Sequence, residues 1–122
     1  MKYRSTRSEE TVNETYALLH GLASDGGLYV PALFPERCLT YDMVAEKSYE
    51  DIAYIVLKNL FTSFDEAELR SMIASAYSKA NFSTPDIAPL HSILERLSVL
   101  ELFHGRTQAF KDMASVSYTH LR

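Results

Sequence analysis

Apolar residues recur every three or four positions along residues 48–61, "SYEDIAYIVLKNLF", which is the spacing of one face of an α-helix. Ser48 and Asp51 have the spacing of a capping box, so we expect the helix to begin at Ser48. The residues assigned to its apolar side are Ile52, Ile55, Val56, Asn59 and Leu60. We expect this side to face the protein core.

A second helix is predicted over residues 63–80, "SFDEAELRSMIASAYSKA", where Ser63 and Glu66 repeat the capping-box spacing. The three-and-four alternation is regular along this stretch, which favours a helix that packs by one face. That face comprises Leu69, Met72, Ile73, Ala76, Tyr77 and Ala80. Apolar stripes of this kind are far more often core than ligand pocket, and we assign both stripes to the core.

The N-terminal residues combine a strand-like alternation with a helical pattern. "MKYRSTR" alternates weakly and predicts a short edge strand. Glu9 and Glu10 then open a helix, because acidic side chains favour a helix N-terminus. The apolar positions of this helix are Val12, Tyr16, Leu19 and Ala23. We expect the helix to stop within residues 21–26, where Asp25 and Gly26 predict a turn.

Short strands are predicted elsewhere in the chain. "LYVPALFP" predicts one that is closed by Pro31 and Pro35, and "SVLELFHG" predicts a final one that is terminated by Gly105. Residues 81–97 contain two prolines and predict a crossing connection, with a short helix near Ile93. Because strands and helices do not alternate as in βαβ units, the predicted fold class is α+β with short strands and amphipathic helices.

Length, charge and cysteine usage narrow the kind of protein. A chain of 122 residues is close to the common size of one domain, and its formal net charge of −4 gives no basic field for nucleic acid. No apolar run approaches the roughly 18 residues of a membrane span, and no apolar segment follows the basic N-terminus. Cys38, the single cysteine, precludes an internal disulfide and has no metal-ligand spacing to the four histidines. We therefore expect a cytoplasmic protein with no metal, nucleic-acid or membrane partner.

One lysine has a local setting that permits chemistry. Lys111 follows the strand predicted to end at Gly105, and Thr107 is placed to cap a helix that opens with "AFKDMA". An amine reacts with an aldehyde only when it is unprotonated. Burial against Phe110 favours the neutral amine, whereas a carboxylate at Asp112 opposes it. The pattern allows a Schiff-base lysine but does not require one, since most lysines are solvated surface residues.

Three blocks of the sequence resemble one known family. They are "YRSTR" at residues 3–7, "GLASDGGLYVP" at residues 21–31 and "LELFHGRTQAFKD" at residues 100–112. Together, over residues 1–114, the chain resembles the N-terminal part of threonine synthase, a family of fold-type II enzymes that use pyridoxal 5′-phosphate (PLP). The third block is similar to the family's cofactor motif, and the resemblance places the lysine that binds PLP covalently at Lys111.

The resemblance also implies a reaction and a domain division. The reaction is the conversion of O-phospho-L-homoserine and water to L-threonine and phosphate, with Lys111 as both the cofactor-binding and the catalytic residue. Residues 1–98 would form the family's N-terminal domain, and residues 99–114 the first strand and helix start of a truncated α/β PLP domain. Residues 115–122 are rich in poor helix formers and are interpreted as an atypical tail, from truncation or read-through.

The sequence leaves alternatives open. All four glycines precede Lys111, so no glycine-rich phosphate loop follows it, and we expect the 122-residue chain alone to be inactive. Arg106 and Gln108 stand where the family usually has proline and leucine, which keeps a related PLP-dependent phospholyase possible. A third interpretation is a non-catalytic interaction domain with an exposed apolar surface. The oligomeric state is not predicted.

Overall fold

The computed structural model describes residues 1–34 and 39–121 as an α+β arrangement, which confirms the predicted fold class. The elements in chain order are β1 (Lys2–Ser5), β2 (Thr11–Asn13), α1 (Glu14–His20), β3 (Tyr29–Pro31), α2 (Tyr41–Val44), α3 (Tyr49–Leu60), α4 (Glu66–Ala76), β4 (Leu90–Leu94), β5 (Leu97–Leu100) and α5 (Asp112–Leu121). The expectations for Pro35 and Cys38 lie outside the described residues. No helix in the described ranges is both long and apolar enough to cross a membrane.

The first strand is central in its sheet, so the prediction of an edge strand is wrong. The strand order is β2-β1-β3, and β1 pairs antiparallel with both neighbours. Tyr3 pairs with Val12 on one side and with Pro31 on the other. The buried Tyr3 side chain donates a hydrogen bond from its hydroxyl to Leu60 O, at 2.6 Å, which fastens this sheet to the end of α3.

Helix α1 begins later than predicted. Residues 11–13 pair with β1 as a strand, and Asn13 then caps the helix by accepting a hydrogen bond from Tyr16 N at 2.8 Å. The helix ends as predicted at Gly21, whose φ of 69° is a left-handed conformation that other residues resist. The expected turn at Gly26 is also present, with φ 75°.

The apolar face predicted for α1 is wrong at Tyr16 and Leu19, whereas Ala23, which lies beyond the helix, is buried as predicted. The helix buries Ala17 and Leu18, whereas Tyr16 and Leu19 remain 43% and 40% exposed. The predicted face depended on a helix that began near Glu9, and the strand over residues 11–13 changes which side meets the core.

Helix α4 is the element that the sequence predicts best. Leu69, Ile73, Ala76 and Tyr77 are buried as expected, while Met72 is partly buried and Ala80 lies beyond the helix and is exposed. Its capping residue is Asp65 rather than Ser63. The Asp65 carboxylate accepts hydrogen bonds from Ala67 N and Glu68 N, at 2.9 and 3.3 Å.

Helix α3 begins as predicted but packs by a different face. Ser48 Oγ accepts a hydrogen bond from Asp51 N at 3.1 Å, which confirms the cap. The side chains that pack against the buried cluster are Tyr49, Ala53, Tyr54 and Leu57, not the stripe that includes Ile52 and Val56. Every residue of α3 except the exposed Glu50 is half-buried, so hydrophobic spacing alone does not distinguish its faces. Aromatic contact selects the face, since the Tyr49 ring lies 4.8 Å from the Tyr77 ring.

The C-terminal part differs most from expectation. Residues 90–100 form an antiparallel hairpin of β4 and β5 instead of a crossing connection with a helix near Ile93. The last strand ends at Leu100, and Gly105 forms only an isolated bridge to Phe82.

Helix α5 continues to Leu121, so the weak helix propensity of residues 115–121 does not end it. The hydroxyls of Ser117 and Thr119 bond back to carbonyls of the preceding turn, and the buried Leu121 packs into the core. Tertiary packing therefore outweighs propensity here. The buried cluster as a whole is Leu18, Leu69, Ile73, Ala76, Tyr77, Phe82, Ile87 and Leu121.

A buried carboxylate joins the N-terminal sheet to the connection between α3 and α4. Glu14 is 3% exposed and forms an ion pair with the Met1 amine at 2.5 Å. It also accepts hydrogen bonds from the backbone and hydroxyl groups of Thr62 and Ser63. Burial raises the pKa of Glu14, but the bonds from the Met1 amine, Ser63 and Thr62 outweigh it and lower the pKa from 4.5 to about 2.

We expect Glu14→Gln to reduce the free energy of unfolding by about 2–4 kcal/mol at pH 7, since it removes one partner of a buried ion pair. Because the folded pKa lies below the unfolded value, this carboxylate stabilises the fold fully above about pH 4.5. The contribution is lost as the pH falls towards 2. Urea unfolding between pH 7 and pH 2.5 measures both effects. The control Glu9→Gln alters an exposed residue, and an equal loss in both variants would contradict the expectation.

Candidate functional site

Lys111 lies immediately before α5 and caps it through the main chain. Its carbonyl oxygen accepts hydrogen bonds from Ala114 N and Ser115 N, at 3.1 and 2.9 Å. Thr107 does not cap the helix, contrary to the sequence prediction, and the strand expected before Lys111 ends eleven positions earlier, at Leu100. The lysine is therefore set at the end of a loop, residues 101–111, and at the start of a helix.

A buried carboxylate closes this loop. Asp112 is 5% exposed and accepts hydrogen bonds from Thr107 N at 2.8 Å and from Thr107 Oγ1 at 2.6 Å. The Thr107 hydroxyl is the main cause of the lowered pKa of Asp112, and backbone amides add to it. A Cβ at Gly105 would lie 2.4 Å from Asp112 Cβ and Oδ2. We call Gly105, Thr107 and Asp112 the carboxylate clamp.

The Lys111 side chain is exposed on the rim of an open hollow. The hollow has a volume of about 470 Å³ and is lined by Phe110, Lys111, Ala114, Ser115 and Tyr118. Phe110 is itself 67% exposed, so it does not bury the amine as the sequence led us to expect. Among the described residues Lys111 Nζ has no hydrogen bond or ion pair, and Asp112 is occupied by Thr107. The amine is accessible to a ligand in this arrangement.

His104, which no sequence pattern marked as a site residue, holds the same loop from the other side. His104 Nε2 lies 2.7 Å from Glu101 Oε2, and His104 Nδ1 lies 3.2 Å from Ser83 Oγ. The backbone adds a hydrogen bond from Ser83 N to His104 O, at 2.9 Å. The Glu-x-x-His spacing was a visible signal, but Ser83 is distant in sequence and only the fold brings it near.

The two residues that depart from the family motif have distinct settings. Gln108 adopts a positive φ of 58° and donates its backbone N–H to Gly105 O at 3.1 Å, so it lies in a tight turn inside the clamp. Arg106 is exposed and lines a second hollow, of about 320 Å³. This hollow shares Ser115 with the hollow beside Lys111. In residues 1–34 and 39–121 no three histidine, cysteine or acidic side chains gather as a possible metal site.

Comparison with known proteins identifies the family. The family model described as threonine synthase N terminus matches residues 2–77, more than half of the chain. The chain belongs to the threonine synthase family. It is 40% identical to threonine synthase of Eremothecium gossypii and 36% identical to that of Saccharomyces cerevisiae, each over 92% of this chain and 23% of the relative.

A solved structure extends this match along the chain. The structure of PLP-bound threonine synthase from Brucella melitensis aligns with a TM-score of 0.87 and 37% identity, over 99% of this chain and 26% of that one. The chain corresponds to the N-terminal part of the family and spans about a quarter of the length of these relatives. The clamp and Lys111 lie beyond the 76 residues of the family model but within a region that aligns in three dimensions.

We expect Gly105→Ala to reduce the free energy of unfolding by about 2–3 kcal/mol, because its Cβ would clash with the Asp112 side chain. Gly21→Ala is the matched control. A Cβ at Gly21 meets no atom within 4 Å, and only its positive φ opposes alanine, at a cost of about 1 kcal/mol. Urea unfolding of both variants tests the clamp. A loss at Gly105 no larger than that at Gly21 would show that the contact is not tight.

Proposed function

We propose that this chain supplies the lysine-bearing part of a PLP-dependent threonine synthase, with Lys111 as the residue that binds PLP covalently. The reaction is the conversion of O-phospho-L-homoserine and water to L-threonine and phosphate. Family membership supports the reaction class, and one structural observation supports the residue: the carboxylate clamp leaves the Lys111 amine accessible beside a hollow at the start of α5.

The residues around Lys111 fit the aldehyde end and the ring of this cofactor. The amine is exposed, and the aromatic side chains of Phe110 and Tyr118 line the same hollow, where a flat ring can pack. PLP supplies electron withdrawal from the carbon atoms of the amino acid when it is bound. No glycine-rich stretch follows Lys111 in the sequence, so we assign no phosphate-binding role to residues of this chain.

The neighbours of Lys111 determine what its amine can do. Asp112 is adjacent in sequence, but its carboxylate accepts two hydrogen bonds from Thr107 and so is not the counter-ion of the lysine. We propose that Lys111 Nζ, once released from the cofactor, moves protons at the substrate carbon atoms.

The domain division of residues 1–98, 99–114 and 115–122 remains a proposal. Helix α5 crosses the boundary at residue 114 without a break, and Val116 packs against the buried cluster. The cytoplasmic location inferred from the sequence likewise remains a proposal.

A related PLP-dependent phospholyase is the second candidate. Arg106 lines a hollow that adjoins the one beside Lys111, so it adds a positive charge near the proposed cofactor position. Such a charge would favour a different anionic amino-acid substrate. The third interpretation is a non-catalytic interaction domain. It predicts that PLP binds Lys111 no more readily than it binds the other surface lysines.

The test uses a completed enzyme in which this chain replaces the matching quarter of B. melitensis threonine synthase. We expect phosphate release from O-phospho-L-homoserine, and a loss of at least about 10³-fold in Lys111→Arg, because the guanidinium cannot bind the aldehyde or exchange a proton at neutral pH. Lys79→Arg is the matched control at an exposed lysine and should keep full activity.

Borohydride reduction in the presence of PLP, followed by peptide mapping, locates the covalent bond. We expect the pyridoxyl group on Lys111 in the completed enzyme and on no residue in particular in its Lys111→Arg variant. Full activity of the Lys111→Arg variant would refute the assignment. Activity on a different phosphorylated amino acid, with none on phosphohomoserine, would favour the phospholyase.

The 122-residue chain by itself should release no phosphate from O-phospho-L-homoserine above the rate without protein. The reason is that no glycine-rich loop for a phosphate follows Lys111 in it. A colorimetric phosphate assay on the purified chain, with the completed enzyme as the positive control, measures this. Turnover by the chain alone would show that its residues do bind the cofactor phosphate, which would contradict the proposal.

A further inference from the structure

The hairpin of β4 and β5 is exposed on every residue. Six of its nine residues are large and apolar, and each is 41–67% exposed: Leu90, Ile93, Leu94, Leu97, Val99 and Leu100. Soluble monomers seldom leave a contiguous apolar element of this kind uncovered. The hairpin therefore has the composition of a buried element, but none of the described residues covers it.

The register places apolar side chains on both faces of the hairpin. Leu90 lies opposite Leu100 and His91 lies opposite Val99, so these two neighbouring pairs point to opposite sides. Leu97 is two residues from Val99 and shares its side. A hairpin that has one wet face alternates apolar with polar residues, whereas strands covered on both faces are apolar on both. The Ser92–Ser98 pair shares the side of Leu90 and Leu100, so that side is apolar at its Leu90 end and polar further along. Because each side carries large apolar residues, the pattern predicts cover on both sides.

Two further features agree with this. Within the described residues β4 and β5 pair only with each other, so the outer edge of each strand offers unpaired backbone groups. A lone two-stranded hairpin is also marginally stable in water. The hairpin is nevertheless joined to the proposed site, because Glu101 N bonds to Pro89 O at 2.9 Å and Glu101 holds His104.

We propose that both faces of the hairpin are the docking surface for the part of threonine synthase that this chain does not span. The relatives are about four times longer than the matched region, so a body of sufficient size exists. A second copy of this chain stacked across a twofold axis would cover only one face. The proposal rests on family membership and on the hairpin, and it does not depend on the role of Lys111.

The experiment compares each substitution in two settings. One variant, Leu97→Glu with Val99→Glu, charges one face, and a second, Leu90→Glu with Leu100→Glu, charges the other. Both are made in the 122-residue chain and in the completed enzyme with the B. melitensis remainder. In the chain alone we expect melting temperatures within about 2 °C of the parent, because the substituted residues are exposed. In the completed enzyme we expect each variant to lower the melting temperature by about 5 °C or more.

Leu33→Glu is the matched control, since Leu33 is 83% exposed and lies in the N-terminal region, away from the hairpin sequence. It should leave the melting temperature unchanged in both settings. Unchanged melting of both hairpin variants in the completed enzyme would overturn the proposal, as would destabilisation of the chain alone. A completed enzyme that fails to melt cooperatively before any substitution would also count against it.

Light scattering tests whether a second copy of this chain, rather than the rest of the enzyme, covers the hairpin. If the 122-residue chain is a stable dimer that becomes monomeric only when the hairpin is charged, a second copy covers it and the proposal is wrong. Failure of the proposed reaction looks different. It would appear as absent phosphate release with the melting behaviour of all variants as described.

Discussion

The hydrogen bonds from Thr107 to the Asp112 carboxylate are the interaction on which the candidate site depends. They join the two ends of a six-residue segment and hold the first residue of α5 against Gly105. The Asp112 carboxylate is buried, whereas the side chain of the preceding residue, Lys111, is exposed to solvent. A single buried acid thus fixes where the helix begins and leaves the neighbouring amine accessible.

This local arrangement is only as rigid as the body to which it is attached. The Tyr77 hydroxyl donates a hydrogen bond to Met113 O at 2.9 Å, so α4 holds the first turn of α5 directly. The Tyr77 ring contacts Tyr49 of α3, which places three helices around one aromatic pair. Glu14 then ties the N-terminal sheet to the connection between α3 and α4. The region of the family model therefore supports a loop that lies beyond it.

The sequence predicts well where a single local signal is sufficient. Helix α4 has one regular stripe, and the sharp turn at Gly21 needs only a residue that tolerates positive φ. The sequence predicts poorly where the outcome depends on contacts between residues that are far apart in the chain. Whether β1 is central or at an edge depends on partners that come later in the chain, and the face of α3 depends on the ring of Tyr77, the residue that follows α4.

The hairpin was not predicted for another reason. Its apolar residues lie on both faces, and such a sequence pattern is as compatible with a helix as with a strand. Lys111 could not be distinguished from a surface lysine by pattern, because its exposure is that of a surface lysine. Only the likeness of its sequence block to a cofactor motif selected it. The clamp was not predicted, because Asp112 was expected to oppose the amine and instead bonds to Thr107.

The exposed hairpin and the exposed lysine both need to be covered by another part of the protein, for two different physical reasons. An amine that condenses with an aldehyde needs surroundings that exclude water, because a dry environment favours its neutral form. In this chain Phe110 and Lys111 both face an open hollow, so these residues do not exclude water by themselves. The hairpin needs cover for a different reason, the burial of apolar area. Because Glu101 and His104 connect the hairpin to the loop before Lys111, one covering body can satisfy both requirements, and docking would then couple the stability of the enzyme to the reactivity of its lysine.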